Sequence, residues 1–197
     1  MTEVMTSTDP DVALMLRVRE GDTDALRELI ERHQRAVINT IHRAIGDASE
    51  AEDLAQRVFV QVYRSAKRYK PTAKFTTWLF TITRNTILNE HRRRSRHPAQ
   101  SLDALQDPRD PETAGWQPPD TTTRDPAQEA VERELQEKIK EAVQELPEAQ
   151  RTAVILCRYE GLSYEEIAEV LGCSVSATKS LLHRARLTLK DNLRGYY

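Results

Sequence analysis

A chain of 197 residues, 39% hydrophobic and 30% charged, has material for one ordinary domain or two small ones. No run reaches the roughly 18 apolar residues that a transmembrane helix needs. Two cysteines exclude a secreted disulfide scaffold, six glycines and nine prolines leave little for a β-rich fold or a glycine-rich phosphate loop, and the net charge of -2 is an average over strongly segregated stretches.

The N-terminal residues MTEVMTSTDPDV have neither the basic start nor the apolar core of a signal segment, so the expected location is the cytoplasm. Apolar residues then recur three and four apart, the helical period. Helices are predicted from Val12 to Glu20 and from Asp24 to Ile45, separated by Gly21-Asp22, with Leu26, Leu29, Ile30, Val37, Ile38 and Ile41 on the buried face. A third helix is expected to start at Ser49, capped through the Ser-x-x-Glu box with Glu52, and to bury Leu54, Val58 and Val62. Pro71 ends it. A fourth begins around Thr72 to Lys74 and carries Trp78, Leu79, Ile82 and Ile87 into the run Arg92-Arg93-Arg94.

Residues 98–127 hold scattered prolines and acids with almost no apolar clustering, which predicts a flexible acidic linker. Helix resumes from Gln128 to Glu145, and Leu146-Pro147-Glu148 opens another that ends at Gly161. Ser163 with Glu166 forms a capping box for a short helix to Leu171; Gly172 turns the chain, and Ser174 caps a last helix to about Asn192. The expected fold is all-α: a four-helix domain over 1–97, the linker over 98–127, and a second helical domain over 128–197.

Between 57 and 97 stand eleven Lys or Arg against the single acid Glu90; between 98 and 130 stand seven acids against two Arg; from 172 onward stand five bases against Asp191. Two basic ends around an acidic middle point to a polyanion, and to nucleic acid before membrane. Residues 164 to 183 have the spacing of a helix-turn-helix, with Ala168 small enough for close approach and Gly172 in the turn. Lys179 with Ser174, Ser176, Thr178 and Ser180 would then reach base edges or phosphates, while Arg184, Arg186 and Lys190 would serve the backbone. His33, His42, His91, His97 and His183 fall on separate elements with no partner at ligand spacing, and Cys157 and Cys173 have none either. No metal, no cofactor and no catalytic group is expected, and both thiols are expected to be buried small side chains.

Four stretches, REGDTDALRELIERH at 19–33, EAEDLAQRVFVQVYR at 50–64, FTTWLFTITRNTILNEHRRRSR at 75–96 and LPEAQRTAVILCRYEGLSYEEIAEVLGCSVSATKSLLHRAR at 146–186, together resemble a bacterial RNA polymerase sigma factor of the extracytoplasmic-function (ECF) group, the short kind with regions 2 and 4 only. The resemblance implies a dissociable subunit that binds core polymerase, selects promoters and helps melt the minus-ten region in response to stress, with no covalent chemistry of its own. It implies that Glu52, Asp53, Gln56 and Arg57 face the clamp of the largest polymerase subunits; the family usually has an acid where Arg57 stands.

The fourth helix resembles the element that recognises and opens the minus-ten region. An opened strand requires a positive groove and a pocket lined by amides; Asn85 and Asn89, four apart on one face, are the base-pocket candidates, with the loop from Lys70 to Thr76. Lys74, Arg84, Arg92 and Arg93 would hold phosphates, and Phe75 and Trp78 suit either the pocket or the core. For the minus-thirty-five region the implied readers are Ser174, Ser176, Ala177, Thr178, Lys179, Ser180, His183, Arg184 and Arg186, with Leu181 where relatives often carry Arg. Implied partners are core polymerase at its clamp and flap, promoter DNA in duplex and single-stranded form, and an anti-sigma factor, all in the bacterial cytoplasm at the nucleoid. The competing reading is a free-standing helix-turn-helix regulator; a third, an interaction protein, takes both apolar faces as docking surfaces.

Overall fold

The computed structural model describes residues 9–96 and 126–196. The linker expectation therefore lies outside the described residues, apart from its last two positions, which already belong to a helix. Eight α-helices occur among the described residues: α1 (Pro10–Arg19), α2 (Thr23–Ile45), α3 (Ala48–Ser65), α4 (Phe75–Arg96), α5 (Pro126–Gln144), α6 (Glu148–Arg158), α7 (Tyr164–Leu171) and α8 (Val175–Asn192), with a 3-10 turn at Ala66–Arg68.

Helix ends follow local chemistry. Asp9 caps α1 ahead of Pro10, and Asp22 caps α2 by accepting from the amides of Asp24 and Ala25. The cap of α3 is Asp47, which accepts from the Glu50 amide at 2.9 Å; Ser49, the expected cap, lies inside the helix. Both positions precede an acid by three, and the left-handed Gly46 that ends α2 places Asp47 at the boundary. The second box forms as expected: Ser163 accepts from the Glu166 amide, and Glu166 accepts from the Ser163 amide at 2.7 Å. A long-range cap begins α4, where the Phe75 amide donates to Asp9 at 3.1 Å, tying α1 to α4.

Helices α1 to α4 enclose a core of Met15, Leu29, Val37, Ile41, Leu54, Val58, Phe75 and Leu79, joined by Ile155 from α6. A second core gathers Ala153, Leu156, Leu162, Ile167, Val170, Leu171 and Leu182, joined by Phe80 from α4. Each helical group thus lends one apolar side chain to the other, with α4 on α7 and α2 on α5 and α6. Burying these residues is the main favourable term for the contact.

Polar groups complete that seam. The last carbonyls of α2, which have no partner within their own helix, accept from the second group: Ala44 from Arg151 at 2.6 Å and Arg43 from the Gln144 amide nitrogen at 2.6 Å. The Arg151 guanidinium also donates to the carbonyls of Gln144 and Leu146. Thr40 donates to the Glu160 carboxylate at 2.8 Å, the Arg43 guanidinium lies 4.1 Å from the Tyr159 ring centroid, and Lys74 pairs with Glu166 at 2.8 Å. Burial lowers the basicity of Arg151 and pushes the Glu160 carboxyl up, the latter opposed by Thr40 and by the Arg43 charge.

Candidate nucleic-acid interface

One face of α3 and one face of α4 form the walls of a groove of about 900 Å³. On α4 the lining residues Ile82, Asn85, Thr86, Asn89, Glu90 and Arg93 recur at helical spacing. On α3 they include Asp53, Gln56, Arg57, Val60 and Arg64. Asn85 and Asn89 are exposed, so both amides keep donors and acceptors available, and Asp53, Gln56 and Arg57 are exposed opposite them. The groove therefore brings together two sets of residues to which the family resemblance gives different tasks. Glu52 lies over the ridge.

On the other side of α3 a second, apolar groove of about 570 Å³ runs against α2, lined by Leu26, Ile30, Ile38, Phe59, Val60 and Tyr63, with Glu52 at its edge. Gln56, Val60 and Arg64 line both grooves and form the ridge between them. Val60 and Tyr63 are large exposed apolar residues. The signal for this ridge stands in the sequence: Val60 and Tyr63 fall at helical spacing from Gln56, on a stripe that would otherwise be polar.

The other α4 candidates are dispersed. Phe75 is 0% exposed and stacks at a tilt against His33 and Trp78, so it is a core residue and is not presented to DNA. Trp78 is half-buried in an edge-on contact with Tyr69 at 4.9 Å. Lys74 is held by Glu166 of α7. Arg84 follows Phe80 by one turn on the flank packed toward α7, half-buried with its Nε shielded from water. Arg92 is exposed, and Arg93 reaches back to Glu90.

Glu90, which sequence reasoning singled out only as the lone acid of a basic stretch, is 4% exposed. Its carboxylate accepts from Arg93 at 2.6 to 3.0 Å and from Arg57 across the groove at 3.5 Å, with Arg94 at 3.6 Å. Arg94 also pairs with Glu50 of α3. The Arg93 hydrogen bonds hold the Glu90 carboxyl below its ordinary value; burial opposes them, and the charges of Arg93, Arg57 and His91 add to them.

In the second group, α7 and α8 make the helix-turn-helix. Gly172 adopts φ 65°, the left-handed turn that a residue with a Cβ rarely enters. Ser174 caps α8 by accepting from the Ala177 amide at 3.1 Å. Ser176, Lys179, Ser180, His183 and Arg184 then form an exposed polar face, and Ala177 is half-buried beside it. Arg186 is exposed and donates to the Tyr164 hydroxyl at 3.3 Å. Thr178 corrects an expectation: it is 0% exposed, its hydroxyl 3.4 Å from the Cys173 thiol, and it packs the turn instead of facing DNA. Leu181 turns toward the second core. Both cysteines are half-buried, not fully buried as expected. No group of three or more potential metal ligands occurs among the described residues, and no described helix is long and apolar enough to cross a membrane.

Comparison with known proteins places both helical groups. The Sigma-70 region 2 model matches residues 29–97 and the Sigma-70, region 4 model matches residues 136–189. The RNA polymerase sigma-H factor of Pseudomonas aeruginosa is 34% identical over 193 residues, covering 96% of this chain and 97% of that protein. The ECF RNA polymerase sigma factor SigW of Bacillus subtilis is 30% identical over 184 residues, covering 90% and 94%. In fold, the chain is similar to CnrH, solved in complex with the cytosolic domain of CnrY, at a TM-score of 0.68 and 23% identity over 96% of this chain and 100% of that one. It is also similar to the sigma factor RpoE of Bartonella quintana, solved in complex with the anti-sigma factor NepR, at a TM-score of 0.64 and 24% identity over 87% and 98%. A region 2 match followed by a region 4 match, with full-length likeness to curated sigma factors, makes this chain a member of the ECF group of RNA polymerase sigma factors, which direct the polymerase to promoters.

Proposed function

We propose that this sigma factor docks on the clamp of core RNA polymerase through the exposed side of α3, with Glu52, Asp53, Gln56 and Arg57, and captures the opened minus-ten strand along α4. The observation that supports this most is the shared groove: Asn85 and Asn89 stand exposed opposite Asp53 and Gln56, so a strand lying on α4 would run beside the docked polymerase. Amide side chains satisfy the edges of an unstacked base, and the exposed guanidiniums of Arg57, Arg92 and Arg93 supply the charge that tracks a backbone. Lys74 and Arg84 join them only where α7 moves away from α4.

The exposed face of α8 reads the minus-thirty-five duplex. Ser176, Lys179, Ser180 and His183 enter the major groove near the helix N-terminus, Arg184 and Arg186 hold phosphates, and Ser174 and Ala177 set the helix start. In this reading 1–97 is the melting domain, 98–127 a linker passing along the polymerase, and 128–197 the duplex-reading domain that also meets the flap. The apolar groove between α2 and α3 suits the apolar face of a partner helix, and an anti-sigma factor is the partner assigned to it. The protein works in the cytoplasm at the nucleoid and performs no covalent chemistry.

Run-off transcription from a genomic promoter library, with purified core polymerase, tests the reading. The full chain starts transcripts that core enzyme alone does not, and Asn85→Ala reduces them. Undiminished transcription with Asn85→Ala would remove the strand-capturing role of α4.

A further inference from the structure

The α3–α4 groove presents a chemical conflict that its sequence does not announce. Arg57 and Arg93 converge there from opposite walls, with Arg94 close behind the same point, and guanidiniums gathered around one point make a phosphate site. Yet the groove is also where Asn85 and Asn89 offer amides to a base, and a strand seated with its phosphates inward would turn its bases away from them. The buried carboxylate of Glu90 lies at that point of convergence, among the residues that line the groove. It binds Arg93 through both oxygens, reaches Arg57 on the opposite wall and approaches Arg94, whose other partner is Glu50 of α3.

We propose that Glu90 is the specificity-determining residue of this groove: its carboxylate occupies the place of a phosphate, so that the strand seats a base against Asn85 and Asn89 and leaves its backbone on the outer rim. The inference deepens the reading of α4 as the strand-capturing helix and rests on it. Glu90 acts in two ways. Its charge repels a phosphate entering the groove, and its hydrogen bonds hold the guanidiniums of Arg57 and Arg93 at the rim, where both side chains keep more than half of their surface in solvent, 59% and 56%. Through Arg57 the same carboxylate ties the polymerase-facing helix to the DNA-facing one. Arg57 thereby has a partner: the negative charge stands on α4 and the positive charge on α3.

The test uses the full chain assembled with core polymerase and three labelled single strands of equal length. One is the non-template minus-ten strand of a promoter that depends on this chain, one has the same bases scrambled, and one has the same backbone with abasic sites in place of the bases. Wild type prefers the promoter strand to the abasic strand. Glu90→Gln folds, because its exposed arginine partners exchange the lost hydrogen bonds for water. It narrows that preference by about fivefold or more, chiefly by tighter binding of the abasic and scrambled strands. It also steepens the dependence of log affinity on log salt by about 0.7, one additional phosphate on a single strand. Glu90→Asp, which keeps the charge, retains the preference within about twofold. An unchanged preference and salt slope in Glu90→Gln, or equal losses in Glu90→Gln and Glu90→Asp, would overturn the proposal and leave Glu90 a structural ion-pair member. Equal binding of all three strands by the wild-type assembly is a separate result: it removes the strand-capturing role of α4, and the proposal with it.

Discussion

At the scale of single residues, the exposed face of α8 separates contacts that composition alone merges. Thr178 and Lys179 are neighbours in a polar run, yet Thr178 is sealed beneath the turn with Cys173 while Lys179 stands in solvent. A Lys that neutralises a phosphate adds to affinity and to its salt dependence, whereas a buried hydroxyl does neither. Lys179→Ala is therefore expected to weaken binding of the minus-thirty-five duplex and to flatten the log affinity against log salt slope by about 0.9, the value for one phosphate on B-DNA. Thr178→Val is expected to leave duplex affinity within about twofold, because it changes packing away from the contact face. Fluorescence anisotropy over a salt series reads both. The same contrast explains Leu181, which packs on the second core and so adds no contact to this face.

Among the helices, the clearest legibility is at the ends. Gly21, Gly46, Gly161 and Gly172 all adopt positive φ, and Ser163 makes its box with Glu166; these are local effects that the sequence carries, whereas α3 ends at Ser65 with a 3-10 turn to Arg68, before the stop expected at Pro71. The start of α3 shows where local reasoning stops. Asp47 and Ser49 each sit three residues before an acid, and only the position of Gly46 at the end of α2 decides that Asp47 holds the cap. Asp47→Ala is expected to cost about 1 kcal/mol by removing an amide partner from the helix start, and Ser49→Ala much less. Urea titration followed by circular dichroism measures the difference; equal costs would return the cap to Ser49. The groove residues divide in the same way. Asn85 and Asn89 declare their shared face by spacing alone, but Glu90 is one residue from Asn89, and its burial follows from arginines on two helices that no spacing rule connects. Phe80 and Ile155 were hidden for a related reason: each lies on a helix of one group and is buried in the core of the other.

For the whole molecule, the described parts form a closed arrangement in which the second helical group covers one flank of α4 and caps α2. Closure pairs Lys74 with Glu166 and packs Phe80, one turn before Arg84, while leaving Asn85, Asn89 and the polar face of α8 exposed. The seam carries a pH signature. Burial raises the Glu160 carboxyl above its ordinary value against the opposing pull of Thr40 and Arg43, so the folded, closed form favours the protonated acid. Its contribution is fully present below the ordinary carboxylate value and is lost as pH rises through the raised one. Glu160→Gln is accordingly expected to raise the melting temperature at neutral pH and to flatten its decline from acid to neutral pH, read by calorimetry across that range. An unchanged pH profile would show that Glu160 is equally solvated in both states.

The most direct test of the account asks whether α4 holds an opened strand. Permanganate modifies unstacked thymines, so the holoenzyme is placed on a promoter recovered by run-off transcription and probed with this chain or with its Asn85→Ala/Asn89→Ala variant. The account predicts reactive minus-ten thymines with the native chain, and with the variant a retained minus-thirty-five footprint but little or no thymine reactivity. Full reactivity with both amides removed would contradict it, because the strand would then be opened and held by something other than the groove between α3 and α4.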